Sequence, residues 1–370
     1  MQIKNARIFR GGRFRSGELS FGKTIESFSP GGEAVDAKGL MLVPGFVDVH
    51  THGAIGIDAT DCQAEEIPSL AAYYASHGVT SFCFTTMTAA RDTLKQVMQR
   101  VCGFRREGAQ AKCAGVHLEG PFLSYKKRGA QAAFNLQSPN LEMLYELNEI
   151  SGGLLRLITV APEIDGALAF IREASKVCTV SLGHSTADYE QAMAGFAAGA
   201  THVTHLFNGM EPLHHRKPGL VGAALTAGAS VELICDGLHI HPAVVLGMHR
   251  MFGEKLVVIS DSLRCAGLSD GHYDLAGQEI VVTDGKATLL DGTIAGSSSN
   301  LHEELKNLVR FGVPLESALT AMTEAPARAV GMEDRIGRLE EGCSADLLLL
   351  DDALNIIACF IDGELVYGTH

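Results

Sequence analysis

Positive charge is scarce in this chain. Thirty lysines and arginines stand against 43 aspartates and glutamates, for a net charge of −13. A broad nucleic-acid or anionic-membrane surface is thereby excluded, because nothing would neutralise phosphates across a wide face. One small phosphorylated ligand, which needs only a few local cations, is still allowed. The nine cysteines include no CxxC pair. An odd, unpatterned count predicts reduced thiols in a cytoplasmic protein rather than a disulfide framework. Also missing are an apolar h-region in the N-terminal MQIKNARIFRGGRF, any apolar run of membrane-spanning length, and a G-x-G-x-x-G strand-to-helix turn. These absences argue against a signal peptide, a transmembrane helix and a doubly wound dinucleotide-binding sheet, in that order. The 370 residues, 46% hydrophobic and 20% charged, have the composition of a globular enzyme with room for one large domain and a small one.

What is present is a repeated strand-then-helix alternation. Eight apolar runs read as short buried strands: LMLVPGFVDVH, VTSFCFTT, CAGVHLE, LLRLITVAPE, CTVSLGHS, THVTHLF, VELICDG and KLVVISD. Helical patterns such as LAAYYASHG and DYEQAMAGFAAGA fall between most of them. This order builds right-handed βαβ units and a parallel sheet. Eight units predict an α/β fold, a (β/α)8 TIM barrel over residues 44–325, with chemistry at the C-terminal strand ends. Residues 1–43 and 326–370 have another texture, short apolar runs broken by Gly-rich turns. Examples are QIKNARIF, GGRF and SFGKTIESFSPGG at one end, and SADLLLLD and LNIIACFIDGELVYG at the other. The two ends are expected to pair as short antiparallel strands of one small β-sandwich domain.

The first barrel strand ends in PGFVDVHTHG. His50 and His52 are two apart, so on a strand they project from one face and can chelate a divalent ion. The other strand exits add Glu119 in HLEGPF, His184 in SLGHS, His205 in THLFNGM, Asp236 and then His239 in ICDGLHI, and Asp261 in VVISDS. Imidazole nitrogens and carboxylate oxygens are the donors of a catalytic zinc-like ion, with positions left open for water and substrate. A single metal site explains these residues together, where ordinary loop polarity needs a separate coincidence at each exit. His117, two before Glu119, is expected to point into the barrel mouth and support a ligand. His202, three before His205, is expected to face the helix layer, and His214 and His215 lie in a loop.

PGFVDVHTHG, HLEGPF, SLGHS, THLFNGM…HHRKPG, ICDGLHI, VISDS…AG and PAR…G…G…GCSADLLLLD follow one another along essentially the whole chain. In that order they resemble the amidohydrolase superfamily and, within it, the N-acetylglucosamine-6-phosphate deacetylases. HxH and the closing ADL are shared widely in the superfamily, whereas LEGPF, THLFN-M and ICDGLH narrow the likeness. The resemblance implies a metal-dependent hydrolase that removes the acetyl group from N-acetylglucosamine-6-phosphate, giving glucosamine-6-phosphate and acetate. It implies Glu119, His184 and His205 as ligands of the main ion, and Asp261 as catalytic aspartate at the metal. Asn208 and Gly209 match a loop on substrate oxygens, and His239 a histidine at the sugar phosphate. Arg216 matches an arginine that reaches the phosphate across a dimer interface, so a homodimer with shared sites is expected. Family members lacking the HxH pair hold one ion; His50 and His52 here imply two divalent ions bridged by Glu119, with zinc expected and iron(II) the alternative.

Two stretches depart from the family pattern. Gln131 stands where a histidine often polarises the acetyl carbonyl; its amide can donate a hydrogen bond there but cannot carry charge. TIAGSSSN replaces a more apolar segment. The expected chemistry is attack on the amide by a water whose pKa a divalent ion has lowered. Asp261 takes the proton as general base and returns it to the leaving amine, with Gln131 helping to hold the oxyanion. N-acetylgalactosamine-6-phosphate is the alternative substrate. A cyclic amidase of the dihydroorotase or hydantoinase type would share HxH but use a carboxylated lysine at the fourth strand exit, where this chain has TVAPE. A non-catalytic scaffold would show gaps among the ligands, and there are none.

Overall fold

The computed structural model describes residues 1–29 and 34–369. Residues 30–33, which include most of the expected SPGG turn, and His370 lie outside the described residues. Eight strands follow one another in a single sheet in chain order. They are β1 (Phe46–Thr51), β2 (Val79–Thr86), β3 (Lys112–Glu119), β4 (Leu155–Val160), β5 (Thr179–Leu182), β6 (His202–Val203), β7 (Ser230–Ile234) and β8 (Leu256–Ile259). The sheet closes where the β8 exit meets β1, with Asp261 N–H donating to the His50 carbonyl and His52 N–H to the Ser262 carbonyl, both at 2.9 Å. The expected barrel is the observed fold. Its strands are largely buried on both faces because helices cover one and side chains fill the barrel axis on the other; all 8 residues of β2 are buried.

The helices follow from their stripes. Arg91–Gly103 buries Leu94, Val97, Met98 and Val101, the i, i+3, i+4, i+7 spacing of one helix face. Tyr189–Ala198 starts at a capping box in which the Asp188 side chain accepts from Gln191 N–H and the Gln191 amide oxygen accepts from Asp188 N–H. That cap fixes the loop leaving β5, which carries His184.

The chain changes sheets at Gly45. Met41–Pro44 belongs to the terminal sheet and β1 starts at Phe46. A Cβ at position 45 would lie 2.2 Å from the Thr80 side chain, so glycine is what lets the backbone pass this close to it. Strands from both chain ends are hydrogen-bonded into one continuous eight-stranded sheet. It is mixed, where antiparallel pairing was expected: Gln2–Arg10 runs parallel to both Ala34–Asp36 and Met41–Pro44. Met41–Pro44 must lead straight into β1, so its direction is set by the barrel. Alternate residues serve opposite sides. Met41, Val43, Leu348 and Leu350 join the barrel core, while Leu42, Leu347 and Leu349 pack with Ile3, Leu19, Phe21 and Phe360.

Between β8 and the helix Leu301–Arg310 a three-stranded antiparallel sheet is inserted (Gly271–Leu275, Gln278–Thr283, Lys286–Leu289), which the strand-helix alternation did not reveal. Its Leu275, Ile280 and Val282 pack with Met87 and Ala130, and Gln278 donates to the Ala130 carbonyl at 2.7 Å. It thereby forms one wall of the barrel mouth. All nine cysteines are free, and no helix among the described residues is long and apolar enough to cross a membrane.

Candidate active site

Three groups of donor residues come together in the barrel: His50, His117 and Glu232, and the two sets that face the mouth. In the first of those two sets, Glu119 Oε1 lies 3.1 Å from His184 Nε2 and 3.0 Å from His205 Nε2, and the two nitrogens are 3.0 Å apart. In the second, Asp261 Oδ1 lies 3.3 Å from His50 Nε2 and 3.2 Å from His52 Nε2, which are themselves 3.3 Å apart. Glu119 spans both: its Oε2 is 3.2 Å from His52 Nε2 and its Oε1 3.5 Å from His50 Nε2. Ligand atoms held 2.0–2.1 Å from one tetrahedral ion are spaced roughly 3.3 Å apart. Two imidazole lone pairs facing each other at 3.0 Å repel unless a proton or a cation lies between them. Both sets therefore fit a divalent ion, side by side, with Glu119 shared. Nitrogen and oxygen donors of this kind suit zinc and iron(II) alike.

The backbone aims these side chains by local departures from the strand. His184, His205 and Asp261 have φ of 46°, 26° and 46°, a region side chains with a Cβ rarely adopt. Each kink ends the in-out alternation and turns the residue onto the barrel mouth. The loop after β6 lies so close to His184 that a Cβ at Gly209 would sit 2.9 Å from its Nδ1. His184 Nδ1 donates to the Lys127 carbonyl at 2.8 Å, which leaves the Nε2 lone pair available to a ligand.

Buried charge makes these residues a suitable place for a cation. Burial would raise the carboxyl groups, yet His50, His184 and His205 hold Glu119 well below its ordinary range, and His50 and His52 lower Asp261. Burial would likewise lower the imidazoles. Glu119, Asp261 and Glu232 nevertheless push His50 well above its ordinary value, and Asp261 and Glu119 push His52 up to about 9. Among the described residues the ion-pair partners of Glu119 and Asp261 are histidines. Positive charge thus comes from imidazole protons, which divalent ions displace. Beneath them Asp48, pushed up to about 7 by burial, accepts from the Ser260 hydroxyl at 2.5 Å and from His50 N–H at 3.2 Å, bracing β1 against β8.

The donors open onto a cavity of about 310 Å³, the lower end of small-molecule sites. His52, Glu119, Gln131, His184, His205, Asn208, Gly209, His239 and Asp261 line it; His50, fully buried beneath, Asp236 and Arg216 do not. Gln131 has its amide fixed: Nε2 donates to Glu119 Oε2 and Oε1 accepts from Thr88 N–H, each at 2.6 Å. His239 Nδ1 donates to Asp236 Oδ2 at 2.7 Å and its Nε2 to the Ala295 carbonyl at 2.8 Å. Both partners only accept, so the ring carries both protons; Asp236 raises its pKa against the lowering effect of burial. Asp236 therefore orients His239 and stands outside both donor sets. Asn208 Nδ2 is buried in the wall with no partner among the described residues. Arg216 is exposed and borders a separate depression of about 1050 Å³ with Tyr189 and Glu211.

The interior below the site differs from expectation in two places. His202 faces the barrel axis, with its Nε2 3.2 Å from Glu232 Oε1. Counting back three from His205 put it on the outer face, but the positive φ at His205 breaks the alternation. Thr204, two after His202, also points inward, 2.8 Å from the Thr159 hydroxyl. Glu232 is not among the residues expected at the site, although a carboxylate inside the apolar run VELI is a signal in itself, since it must be partnered to be buried. His117 does point inward. Its Nε2 is 2.7 Å from Thr159 Oγ1 and its ring lies edge-on to His50, with centroids 4.5 Å apart. At the fourth strand exit no lysine is found; Glu163 there accepts from Ser185 Oγ at 2.7 Å and Thr186 N–H at 2.6 Å.

A closed parallel barrel with paired carboxylate-imidazole sites at its C-terminal mouth defines a metal-dependent hydrolase of the amidohydrolase class, and the profile of the amidohydrolase family matches residues 41–366. The chain is 37% identical to the N-acetylglucosamine-6-phosphate deacetylase of Bos taurus, over 99% of its own length and 95% of the relative's. It is 36% identical to the N-acetylgalactosamine-6-phosphate deacetylase of Escherichia coli O157:H7, over 88% and 87%. A mutant N-acetyl-D-glucosamine-6-phosphate deacetylase from Mycobacterium smegmatis, solved in complex with N-acetyl-D-glucosamine-6-phosphate, matches at 30% identity with a TM-score of 0.90 over 99% of both chains. The chain belongs to the amidohydrolase family and, within it, to the N-acetylglucosamine-6-phosphate deacetylases.

Proposed function

We propose that this enzyme hydrolyses N-acetylglucosamine-6-phosphate to glucosamine-6-phosphate and acetate, with two divalent ions, zinc in the first instance, held by His50, His52, Glu119, His184, His205 and Asp261. The observation that carries the reading is Glu119 shared between two buried donor sets at the floor of a small-molecule cavity. When bound, the ions polarise the amide carbonyl and lower the pKa of water. Asp261, kept ionised by His50 and His52, accepts the proton of the attacking water and then delivers it to the departing nitrogen. Gln131 has two amide hydrogens; one is engaged by Glu119, and the other is available to the developing oxyanion. Asn208 and Gly209 face the sugar and its substituents. His239, with both ring nitrogens protonated, supplies a charged donor towards the phosphate by exchanging its bond to Ala295.

The chain's own cavity lacks Arg216, which supports a homodimer in which each subunit's Arg216 reaches the phosphate bound by its partner. Arginine suits that task because its planar fork holds phosphate bidentately. We further assign residues 1–43 and 326–370 to one small domain beside the barrel of residues 44–325. We also read the enzyme as cytoplasmic, a reading that its free thiols support.

A second reading, deacetylation of N-acetylgalactosamine-6-phosphate, is favoured by the likeness to the Escherichia coli O157:H7 relative. Both are tested by measuring acetate release from the two 6-phosphates and from the two unphosphorylated sugars, with Zn²⁺ or Fe²⁺ restored. Turnover of N-acetylglucosamine-6-phosphate above the other three is expected. Release from no phosphorylated sugar with either ion overturns the proposal.

A further inference from the structure

Glu232 lies in the middle of β7, is fully buried, and takes no part in the chemistry above. Its carboxylate nevertheless makes three contacts. Oε2 accepts from His50 Nδ1 at 2.9 Å and from the His205 backbone N–H at 3.1 Å, and Oε1 lies 3.2 Å from His202 Nε2. His50 belongs to one donor set and His205 to the other, so one oxygen atom touches both. The His205 contact also answers a local problem. With φ at 26° the chain has left the strand, and the residue's N–H turns to this side chain instead of a backbone carbonyl. A carboxylate sunk this deep inside a barrel is stabilising only if its acceptor sites are filled, and here donors from β1 and from both ends of the β6 segment fill them.

We infer that Glu232 is a positioning residue for the ion held by His50, His52 and Asp261, an inference that rests on the two-ion reading above. Accepting at Nδ1 fixes the His50 tautomer and ring plane, and it is this that leaves Nε2 directed at Asp261 and His52. A carboxylate behind a ligand imidazole is typically worth about 10–100-fold in metal affinity. Because the same oxygen anchors the His205 turn, the two donor sets are held in one register from below.

The test is a titration of chelator-stripped protein with Co²⁺, reading stoichiometry and affinity from the visible absorption of the bound ion, with Zn²⁺ competition. It compares the unmodified enzyme with Glu232→Gln, Glu232→Ala and His50→Ala, and thermal unfolding of each ion-free form checks folding. The unmodified chain is expected to take two ions and His50→Ala to lose the looser one. Glu232→Ala should weaken the looser ion by about 10–100-fold, and Glu232→Gln, which keeps an acceptor for His50 but not the charge, by about tenfold. If Glu232→Ala does not fold, Glu232→Gln carries the test. A carboxylate with a merely structural role would lower the unfolding temperature and leave both affinities alone, and that result overturns the inference. Two ions bound normally by the Glu232 variants thus refute the role of Glu232 only. A single ion in the unmodified chain, indifferent to His50→Ala, refutes the two-ion reading and this inference with it.

Discussion

Replacing Asp261 by asparagine isolates the proton-transfer role, because almost everything else about the residue is retained. Its backbone sits at φ 46°, and asparagine tolerates the left-handed region as well as aspartate does. The two main-chain bonds that hold it, Asp261 N–H to the His50 carbonyl at 2.9 Å and Ser297 N–H to the Asp261 carbonyl at 2.7 Å, do not involve the side chain. The Glu119, His184 and His205 set is untouched, so the main ion should remain. What is lost is a carboxylate able to take a proton and return it. Each such transfer is worth roughly 10²–10⁴-fold, and one residue serves both. A fall in kcat of about 10⁴-fold is therefore expected for Asp261→Asn, with an unchanged far-UV spectrum and at least one ion per subunit. The assay is acetate release from N-acetylglucosamine-6-phosphate at saturating substrate with metal restored, alongside metal analysis of the same sample. A variant that keeps about a tenth of the original rate would show that another group carries the protons.

His184→Ala should remove the main ion and activity together, whereas His50→Ala should lower the metal count without emptying the site; full metal occupancy in the His184 variant would refute the ligand assignment. Arg216→Ala should weaken phosphorylated substrates far more than unphosphorylated ones. Mixing Arg216→Ala with Asp261→Asn subunits should restore activity, since one site of the mixed dimer regains both groups, and heterodimers without activity would exclude shared sites. Glu304 is fully buried, its Oε2 accepts from Cys235 N–H at 2.9 Å, and burial holds its pKa well above the ordinary 4.5. An acid raised on folding binds its proton more tightly in the native state, so its contribution is complete below about 4.5 and is lost as pH rises towards the folded value. Glu304→Gln should thus gain in unfolding temperature relative to the unmodified chain from pH 5 to pH 9, and a difference independent of pH would contradict it.

Much of this enzyme was legible from strand-length periodicities. The apolar runs marked all eight barrel strands. The two-residue spacing of His50 and His52 put both imidazoles on one face, because alternation is a local property of an extended chain. Glu119, His184, His205 and Asp261 were recognisable because each follows such a run at the barrel end where chemistry collects. Local rules failed where the backbone leaves the strand. The positive φ at His205 reversed the predicted direction of His202, and the short strands Gly271–Leu275 to Lys286–Leu289 were invisible within an expected crossover.

The sequence by itself thus determined the barrel and the order of the candidate donor residues along it, since strand pattern and exit chemistry depend on neighbours a few positions away. Only the tertiary structure decided that the Gln131 amide is turned to Glu119 by Thr88, that Asp236 serves His239, and that Glu232 stands behind His50. Those partners are brought together by barrel closure, and Glu232 and His50 are 182 residues apart in the chain. No local spacing encodes a hydrogen bond made across the axis of a closed sheet.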